Sequence, residues 1–430
     1  MKMLKIQIVL SLFLLICLTH FGETNAFTSH LFNVLDFGVV PNDGKDDTEA
    51  INAVIKEAYE SGGGIVYLPA GVYTVMRSLE VLPNVTLQGI WQTPHGQEYL
   101  GMTDNIKGTV LAAYGGRNDP YGEPLLNLYS SSSVRGVTIF YPEQDPFDIV
   151  PYPPSIAISK KALSVKSISV ENVTLINSYI GIDFSRPHEL HYIRNVFGCP
   201  LKAGVIIDTC TDIGRIENVH FNPNFWTFFA SPGRPIGYMS ENLVGFIFGR
   251  SDWEYVLNTF VWGAKVGYLF ESSGCNGNFV GIGADWCSQS ALLVKDTQAP
   301  GILIVNGEFV NASNATGPTI DMRSGNVFIN NSSFWGPTEQ IARINGGIVA
   351  FSSCNFLEWD SKNSGVPAIE IKNGALIVQG SYFAKRGLAI AIREKTKAAN
   401  IYGNIFNCEN FIINESNGNV KVNLNSVLNQ

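Results

Sequence analysis

The scarcest ionisable side chains of this 430-residue chain gather in one stretch of the sequence. Three of its six histidines, His188, His191 and His220, lie close together, and Tyr255 follows them. Imidazole titrates near neutral pH and a phenol can donate a proton, so such a set can supply a base and an acid. We therefore predict His188, His191, His220 and Tyr255 as catalytic residues. His220 is expected to point out of its strand, because both of its neighbours are apolar.

The same stretch carries groups that suit an acidic sugar. Cationic side chains neutralise a carboxylate, and an indole ring stacks on a sugar face. The predicted substrate-binding residues are Arg186, Arg194, Arg250, Lys265 and Trp253. Removal of the weakly acidic C5 proton of a uronate needs this neutralisation together with a base and an acid. The combination predicts β-elimination on a uronic acid residue, giving an unsaturated uronate, with either water or a sugar as the leaving group.

The elements that must position these residues follow a regular period. An apolar-x-Asn-apolar-x-aromatic phrase returns about every 24 residues, which indicates one supersecondary unit stacked on itself. The phrase is centred on Asn172, Asn195, Asn218, Asn258, Asn278, Asn306, Asn330, Asn355, Gly380 and Asn404. Short β-branched units separated by Gly and Asn are typical of stacked strands. The period predicts an all-β fold, a parallel β-helix in which the Asn side chains form a hydrogen-bonded scaffold.

Residues 33–75 form the most distinctive block. A strand at 33–37 and a turn at 41–44 precede an amphipathic helix, and strands follow at 65–68 and 72–75. The apolar face of the helix is Ala50, Ile51, Val54, Ile55 and Ala58, and such a helix can cover the open end of a stacked coil. The block resembles the N-terminal motif of the pectate-lyase superfamily. The resemblance implies a single-stranded right-handed parallel β-helix with an N-terminal capping helix, as one domain over 27–430 with a cap motif at 27–75.

The pattern of the whole chain resembles the β-helical dehydratases of bacterial ulvan degradation, which act on a terminal uronate of an oligosaccharide. This resemblance implies a carbon–oxygen lyase, a dehydratase or polysaccharide lyase, acting on ulvan-type oligosaccharides. A glycoside hydrolase or epimerase on the same scaffold remains an alternative, as does a non-catalytic carbohydrate-binding or adhesion protein.

Motifs of two related families are missing from the coils. The NTD, paired-Asp, GHG and RIK motifs of β-helical polygalacturonases do not occur there, and the only Asp-Asp pair is Asp46-Asp47 in the N-terminal block. The Asp cluster and the Arg-x-Pro-x-x-Arg segment of calcium pectate lyases are missing too. No metal or other cofactor is therefore expected, although Ca²⁺ binding stays open.

One stretch breaks the period. Asn218 and Asn258 are 258 − 218 = 40 residues apart, which predicts a loop insertion at 222–256. Insertions in a solenoid emerge on one face, often the binding face. On the preceding coils, Glu171, Arg194 and Glu217 each precede a periodic Asn, and this spacing predicts an outward ladder of acid, base and acid.

Residues 1–26 have the features of a signal peptide. Lys2 and Lys5 precede an apolar stretch at 6–18, and a small-residue site ends at Ala26. We expect cleavage after Ala26 and export to the periplasm or the medium. Attachment as a lipoprotein through Cys17 is less favoured, because Ile16 before it is bulky. No later segment resembles a membrane span, so no stable membrane insertion is expected.

Charge and cysteine usage narrow the partners. The 29 basic and 37 acidic side chains give a net charge of −8, which disfavours nucleic acid. A local cationic cluster can still bind an anion on an acidic protein. The expected partner is an acidic oligosaccharide or polysaccharide, and the oligomeric state stays open. The six cysteines after Cys17 form no CxxC pair, so a zinc site is not expected.

Overall fold

The computed structural model describes residues 30–91, 107–227, 235–409 and 411–428. The strands pair in parallel, and each coil passes through three sheets before the next coil stacks on it. The prediction of an all-β parallel β-helix is confirmed. The predicted signal peptide at 1–26, including Cys17, lies outside the described residues. Within the described part of the chain, no helix is both long and apolar enough to cross a bilayer.

The strands fall into three sheets by their pairing, and several long strands bend from one sheet into the next. The first sheet contains Leu79–Val81, Leu126–Leu128, Pro154–Ile158, Ile180–Phe184, Ala203–Ile207, Val244–Phe248, Val266–Phe270, Ser290–Val294, Ile320–Met322, Ala342–Ile344, Ile412–Asn414 and the first parts of Ile369–Gln379 and Ile390–Tyr402. The second contains Leu31–Asn33, Gly64–Tyr67, Val85–Gln88, Ser133–Arg135, Cys275–Val280, Thr297–Val305, Asn326–Asn330, Ile348–Ser352, Asn419–Asn423, the remaining parts of those two strands, and the first parts of Ser169–Leu175, Tyr192–Gly198, Arg215–Phe221 and Ser251–Trp262. The third contains Gly71–Val75, Thr109–Ala113, Val137–Phe140, Gly283–Cys287, Glu308–Asn311, Ser333–Phe334, Asn355–Phe356, Tyr382–Phe383, Ile405–Phe406, Ser426–Val427 and the second parts of those four bent strands. A separate pair of short parallel strands lies between the first and second sheets. It consists of Val165–Lys166 and His188–Glu189, and Val165 is the register partner of His188.

The core consists of columns that run along the helix axis. In-register parallel pairing places the same position of successive coils side by side, so one apolar position per coil builds a continuous column. In the first sheet the fully buried column is Ile156, Ile182, Val205, Phe246, Tyr268 and Leu292. The residue after each of these faces outward, and Asp183 occupies that outward position beside Ile182.

The periodic Asn residues hold the turn between the second and third sheets. Asn172, Asn195 and Asn218 have positive φ values between 53° and 56°. The Asn195 side-chain amide donates to Asn172 Oδ1, and the Asn218 amide donates to Asn195 Oδ1, both at 2.8 Å. The predicted scaffold role is therefore confirmed for these three coils.

On the later coils the structure confirms Asn258, Asn306 and Gly380 at this turn and places other residues at the remaining predicted positions. The positive-φ position is held by Asn258, Gly281, Asn306, Asn331, Ser353, Gly380, Gly403 and Leu424. The assignments of Asn278, Asn330, Asn355 and Asn404 were wrong by one to three positions. Glycine and asparagine both tolerate left-handed backbone, so the phrase keeps its period while its residue type changes.

The Asn turn gives a direct stability test. Asn195→Ala removes two amide hydrogen bonds and places a Cβ-bearing residue without a polar side chain at positive φ. We expect a loss of about 2–4 kcal/mol in the free energy of unfolding, measured by denaturant titration. Asn195→Gly keeps the backbone preference and is expected to lose about 1–2 kcal/mol less. Equal losses in the two variants would mean that left-handed backbone is not what Asn195 supplies.

The N-terminal block forms the predicted helix with one local difference. The helix α1 (Thr48–Glu60) buries Ile51, Val54, Ile55 and Ala58 and packs against the first strands of the second and first sheets. The predicted strand at 33–37 is instead a 3₁₀ helix, Val34–Phe37, after the strand Leu31–Asn33. The 3₁₀ helix begins after Asn33, whose side-chain oxygen accepts a hydrogen bond from the backbone N–H of Leu35.

The insertion is shorter than predicted. Its described residues form two short helices, α2 (Asn224–Thr227) and α3 (Ile236–Asn242), and the chain rejoins the first sheet at Val244–Phe248. The predicted range 222–256 was too long, because 244–256 belongs to a regular coil. Trp226 and Met239 of the insertion are buried in the main core, so part of its apolar content serves packing.

Candidate functional site

The predicted acid–base–acid ladder is present on the outer face of the second sheet. Glu171, Arg194 and Glu217 are register partners on successive coils. Arg194 Nε lies 3.8 Å from a Glu217 carboxylate oxygen, and Arg135 pairs with Glu171 at 2.8 Å. The opposite charges of neighbouring side chains in this row neutralise one another, so the row is explained by its own ion pairs without a ligand. Substrate binding by Arg194 stays a prediction.

Two of the three predicted catalytic histidines lie inside the coil. His188 and His191 are 1% and 0% exposed, so they do not share a face with the outward-pointing His220, and their catalytic role stays a prediction. His188 Nε2 lies 2.9 Å from His191 Nδ1. On the far side, His191 Nε2 lies 3.3 Å from the buried carboxylate of Glu254. The physical reason is that both rings turn inward at the corner between the first and second sheets, where Phe184 packs against them.

His220 takes the predicted outward position on the third sheet. Its register partners are Phe197 and Phe260 on the neighbouring coils. Its ring packs edge-on against Phe225 and Phe260 at centroid distances of 5.2 and 4.9 Å. This packing buries the imidazole and lowers its pKa. Among the described residues, His220 Nε2 has no hydrogen-bond partner.

Trp253 and Tyr255 form an exposed aromatic pair on the second sheet. They are 52% and 42% exposed, and Trp253 Nε1 donates to the Tyr255 hydroxyl at 2.9 Å. At the start of the same strand, Ser251–Trp262, the Arg250 guanidinium forms an ion pair with the Asp252 carboxylate at 2.9 Å. The pair is a platform on which a sugar ring can stack. Lys265 is exposed at the start of Val266–Phe270, on a different sheet.

Arg186 lines a pocket of about 240 Å³ on the outer face of the first sheet. Its walls also include Lys160, Asp183 and Tyr121. Arg186 Nη2 donates to the backbone oxygens of Lys160 at 3.3 Å and Ala162 at 3.1 Å, which fix the guanidinium in place. The pocket therefore combines two cations, a carboxylate and a phenol.

The other groups of this pocket are held by local contacts. Lys160 Nζ donates to the backbone oxygen of Tyr121 at 2.8 Å and lies 3.6 Å from Glu123. The Asp183 carboxylate accepts the backbone N–H of Ser185 at 2.9 Å. The Tyr121 side chain is 89% exposed at the pocket rim. The Asp183 carboxylate is thus half-buried on the outer face of the sheet, whereas the Tyr121 phenol is open to solvent.

Sequence reasoning missed Lys160, Asp183 and Tyr121 as site residues. One signal was present for Asp183, since it lies between the buried Ile182 and Phe184 and period-two alternation marks it as outward. Lys160 and Tyr121 are 39 residues apart in sequence but in contact in the fold. No local sequence pattern predicts that contact.

A second cleft, of about 470 Å³, lies on the third sheet beside His220. Its lining includes Phe260, Asp285, Glu308 and Trp335, with Gly283 at the register position between Phe260 and Glu308. Trp335 Nε1 donates to Glu308 Oε2 at 2.8 Å. Burial raises the pKa of Asp285. Among the residues that the structure describes, no cationic side chain lines this cleft, so its described lining is acidic.

A third cleft, of about 600 Å³, lies beside helix α1. Four of its charged groups are paired with one another. Glu80 accepts Lys161 Nζ at 2.8 Å and the Tyr129 hydroxyl at 2.7 Å, and Arg77 pairs with Glu49 at 2.9 Å. A ligand there would have to displace existing ion pairs.

The fold defines the class of the protein, a right-handed parallel β-helix. Residues 31–178 match the family described as "Rhamnogalacturonase A/epimerase, pectate lyase-like". The matched residues include α1, the cleft beside it and part of the lining of the Arg186 pocket, with Tyr121 and Lys160 but without Asp183 and Arg186.

Two curated relatives are similar over a shorter stretch. Mannuronan C5-epimerase AlgE3 of Azotobacter vinelandii is 38% identical over 108 residues, which are 23% of this chain and 6% of that protein. Alginate lyase 7 of the same organism is 33% identical over 102 residues, 21% of this chain and 12% of that protein. The chain thus spans only a small part of the length of these relatives.

Among solved structures, the catalytic unit of the thermostable GH87 alpha-1,3-glucanase from Streptomyces thermodiastaticus strain HF3-3 has a similar fold. The alignment covers 94% of this chain and 68% of that one, with a TM-score of 0.50 and 11% identity. At this identity the similarity is one of fold alone.

Proposed function

We propose that the protein is an enzyme that removes the C5 proton of a uronic acid residue in an acidic polysaccharide, with β-elimination as the outcome. The observation that carries the proposal is the Arg186 pocket, in which Lys160 and Arg186 flank Asp183 and Tyr121. This is the set of groups that uronate chemistry needs. The named relatives, mannuronan epimerases and an alginate lyase, support the same class of substrate.

The pocket residues have complementary roles in this proposal. Lys160 and Arg186 bind the C6 carboxylate and stabilise the charge that builds up when the C5–H bond breaks. Asp183 accepts the C5 proton as general base. The C4–O bond then breaks as the C4–C5 double bond forms, and the Tyr121 hydroxyl donates a proton to the departing oxygen. The leaving group is a sugar in a lyase and water in a dehydratase, and ulvan-type oligosaccharides remain the proposed substrate.

Epimerisation is the second outcome of the same first step. If the C5 carbanion receives a proton on the opposite face before the C4–O bond breaks, the product is the C5 epimer. Six of the seven curated relatives are named mannuronan C5-epimerases, which favours this outcome as the main alternative.

Hydrolysis is a second candidate function, favoured by the acidic cleft. Glycoside hydrolysis uses two carboxyl groups of unequal pKa across one glycosidic bond. Asp285, whose pKa is raised by burial, and Glu308 line that cleft together with two aromatic rings. A neutral saccharide suits this cleft better than a polyuronate, because the lining repels a carboxylate.

One assay separates these functions. The purified protein is incubated with ulvan, polymannuronate, polygalacturonate and a neutral β-glucan. Ultraviolet absorbance of a conjugated enoate is the result expected for elimination. Inversion at C5 without absorbance, followed by proton NMR, would assign epimerisation, and new reducing ends without absorbance would assign hydrolysis. No change in any substrate would contradict an enzymatic function for the pocket.

Export to the periplasm or the medium is also proposed, on the features of residues 1–26. The measurement is the N-terminal sequence of the protein recovered from its native compartment. A mature N-terminus at Phe27 is expected, whereas lipid attached at Cys17 would indicate the lipoprotein alternative.

A further inference from the structure

Four polar side chains meet in the interior at the corner between the first and second sheets. His188 and Cys210 are register neighbours on successive coils, and His191 and Glu254 approach each other across the coil between them. His188, His191 and Glu254 are at most 1% exposed, and Cys210 is fully buried. One nitrogen of each histidine and the Cys210 sulfur lie within 4.8 Å of one another. A cluster of this polarity in an apolar core needs a physical explanation.

Two neutral imidazoles carry one N–H proton each, but His188 and His191 make three close polar contacts that each call for a proton. His188 Nδ1 lies 2.8 Å from the Arg186 backbone oxygen and needs a proton there. His191 Nε2 faces the Glu254 carboxylate at 3.3 Å and needs a second. With both protons used, two nitrogen lone pairs face each other across 2.9 Å. Two lone pairs at this distance repel unless a cation lies between them.

We propose that this cluster is a buried Zn²⁺ site, with His188 Nε2, His191 Nδ1 and Cys210 Sγ as ligands. Ordinary Zn–N and Zn–S bonds in a tetrahedral site place two nitrogens about 3.3 Å apart and a nitrogen and a sulfur about 3.6 Å apart. The corresponding distances are 2.9 Å between the two nitrogens and 3.8 Å from His191 Nδ1 to the sulfur. These two pairs need shifts of a few tenths of an ångström, and the third pair, the His188 nitrogen and the Cys210 sulfur, lies within 4.8 Å and closes by a larger movement.

The surroundings of the two histidines match those of metal ligands. A ligating imidazole usually donates its other N–H to a carboxylate or a backbone oxygen, which fixes the tautomer. His191 faces Glu254 and His188 faces the Arg186 carbonyl in this way. In the part of the chain that the structure describes, neither Glu254 carboxylate oxygen has a hydrogen-bond partner. An N–H fixed on His191 by a metal would supply one.

Charge balance favours a divalent ion over a shared proton. A thiolate and the Glu254 carboxylate together carry two negative charges, which one Zn²⁺ neutralises inside the core. A shared proton would supply only one positive charge, and a coordinating metal would deprotonate the Cys210 thiol.

Gly214 makes the cluster possible. It occupies the coil between His191 and Glu254, and a Cβ there would lie 2.0 Å from His191 Cε1 and 2.3 Å from Glu254 Oε2. Only glycine leaves the space in which the ring and the carboxylate meet. The ligands come from His-x-x-His and a distant cysteine, which explains why a search for CxxC pairs did not predict the site.

The test is metal content and does not depend on the proposed function. The protein, expressed with Zn²⁺ present, is expected to retain one equivalent through gel filtration. The Co²⁺-substituted protein is expected to show a thiolate-to-cobalt charge-transfer band. Cys210→Ala is expected to lose the band, whereas the matched control Cys199→Ala, another fully buried cysteine, is expected to keep it. Glu254→Gln is expected to weaken Zn²⁺ affinity by about 10–100-fold.

Three results would overturn the assignment. Wild-type protein that neither retains Zn²⁺ nor takes up Co²⁺ would show that a protonated Glu254 or a shared proton fills the gap instead. An unchanged cobalt spectrum in Cys210→Ala would exclude the thiolate. Preferential retention of copper would exclude zinc as the ion. If Cys210→Ala does not fold, the wild-type cobalt spectrum and the Glu254→Gln affinity still decide the proposal.

Discussion

Asp183→Asn is expected to reduce turnover of a uronic-acid polysaccharide by about 10²–10⁴-fold, which is the range for loss of a general base. The amide keeps the oxygen that accepts the Ser185 backbone N–H, so the strand end remains intact. Because Lys160 and Arg186 still bind the substrate carboxylate, KM is expected to change little while kcat falls. The measurement is the initial rate of enoate formation, or of C5 inversion if the enzyme proves to be an epimerase.

The fold supplies a matched control for this variant. Asp321 occupies the same outward position of the first sheet, five strands further along the stack, away from the Arg186 pocket. Asp321→Asn is expected to retain full activity. Equal activity of the Asp183 variant and the wild type would remove Asp183 as the base. A loss confined to Asp285→Asn would move the chemistry to the acidic cleft.

Phe356→Ala is expected to reduce the free energy of unfolding by about 3–5 kcal/mol. Phe356 is fully buried, with its ring centroid 5.1 Å from that of Phe334 and 4.3 Å from that of Phe383. It belongs to a column of stacked rings formed by Phe309, Phe334, Phe356, Phe383 and Phe406. The ring has stacked neighbours on both sides, so its removal leaves a cavity that in-register coils cannot easily close.

Denaturant titration followed by circular dichroism measures the effect. Phe356→Leu keeps most of the volume and is expected to lose less than about 1.5 kcal/mol. If the alanine variant is as stable as the leucine variant, the column is not close-packed at this coil. A separate early transition would indicate that the C-terminal coils unfold on their own, as nearest-neighbour stacking allows.

The period of the sequence was enough to predict the architecture. Stacked strands need an apolar residue at the same position of every coil, so apolar residues recur in the sequence at regular intervals. The outward direction of His220 and the ladder of Glu171, Arg194 and Glu217 followed from the same alternation. The helix α1 was predictable because its apolar face repeats with helical spacing.

The candidate site was predictable only in part. Arg186 was among the predicted residues and lines the cationic pocket, but Lys160 and Tyr121 reach that pocket through contacts between distant parts of the chain. His188 and His191 were grouped with His220 by their nearness in sequence. The structure turns them inward at a corner, where strand alternation no longer applies.

Sequence alone determined the repeat, and the repeat determined the β-helix, because in-register stacking is a local rule applied coil after coil. Tertiary structure decided which side chains point inward at the corners between sheets. A corner has no fixed periodicity, so its side chains turn in or out according to the space left by neighbouring coils. At one corner, the missing Cβ of Gly214 lets His191 meet Glu254 inside the core. On the outer face of the first sheet, the fold brings Lys160, Asp183 and Arg186 around one pocket.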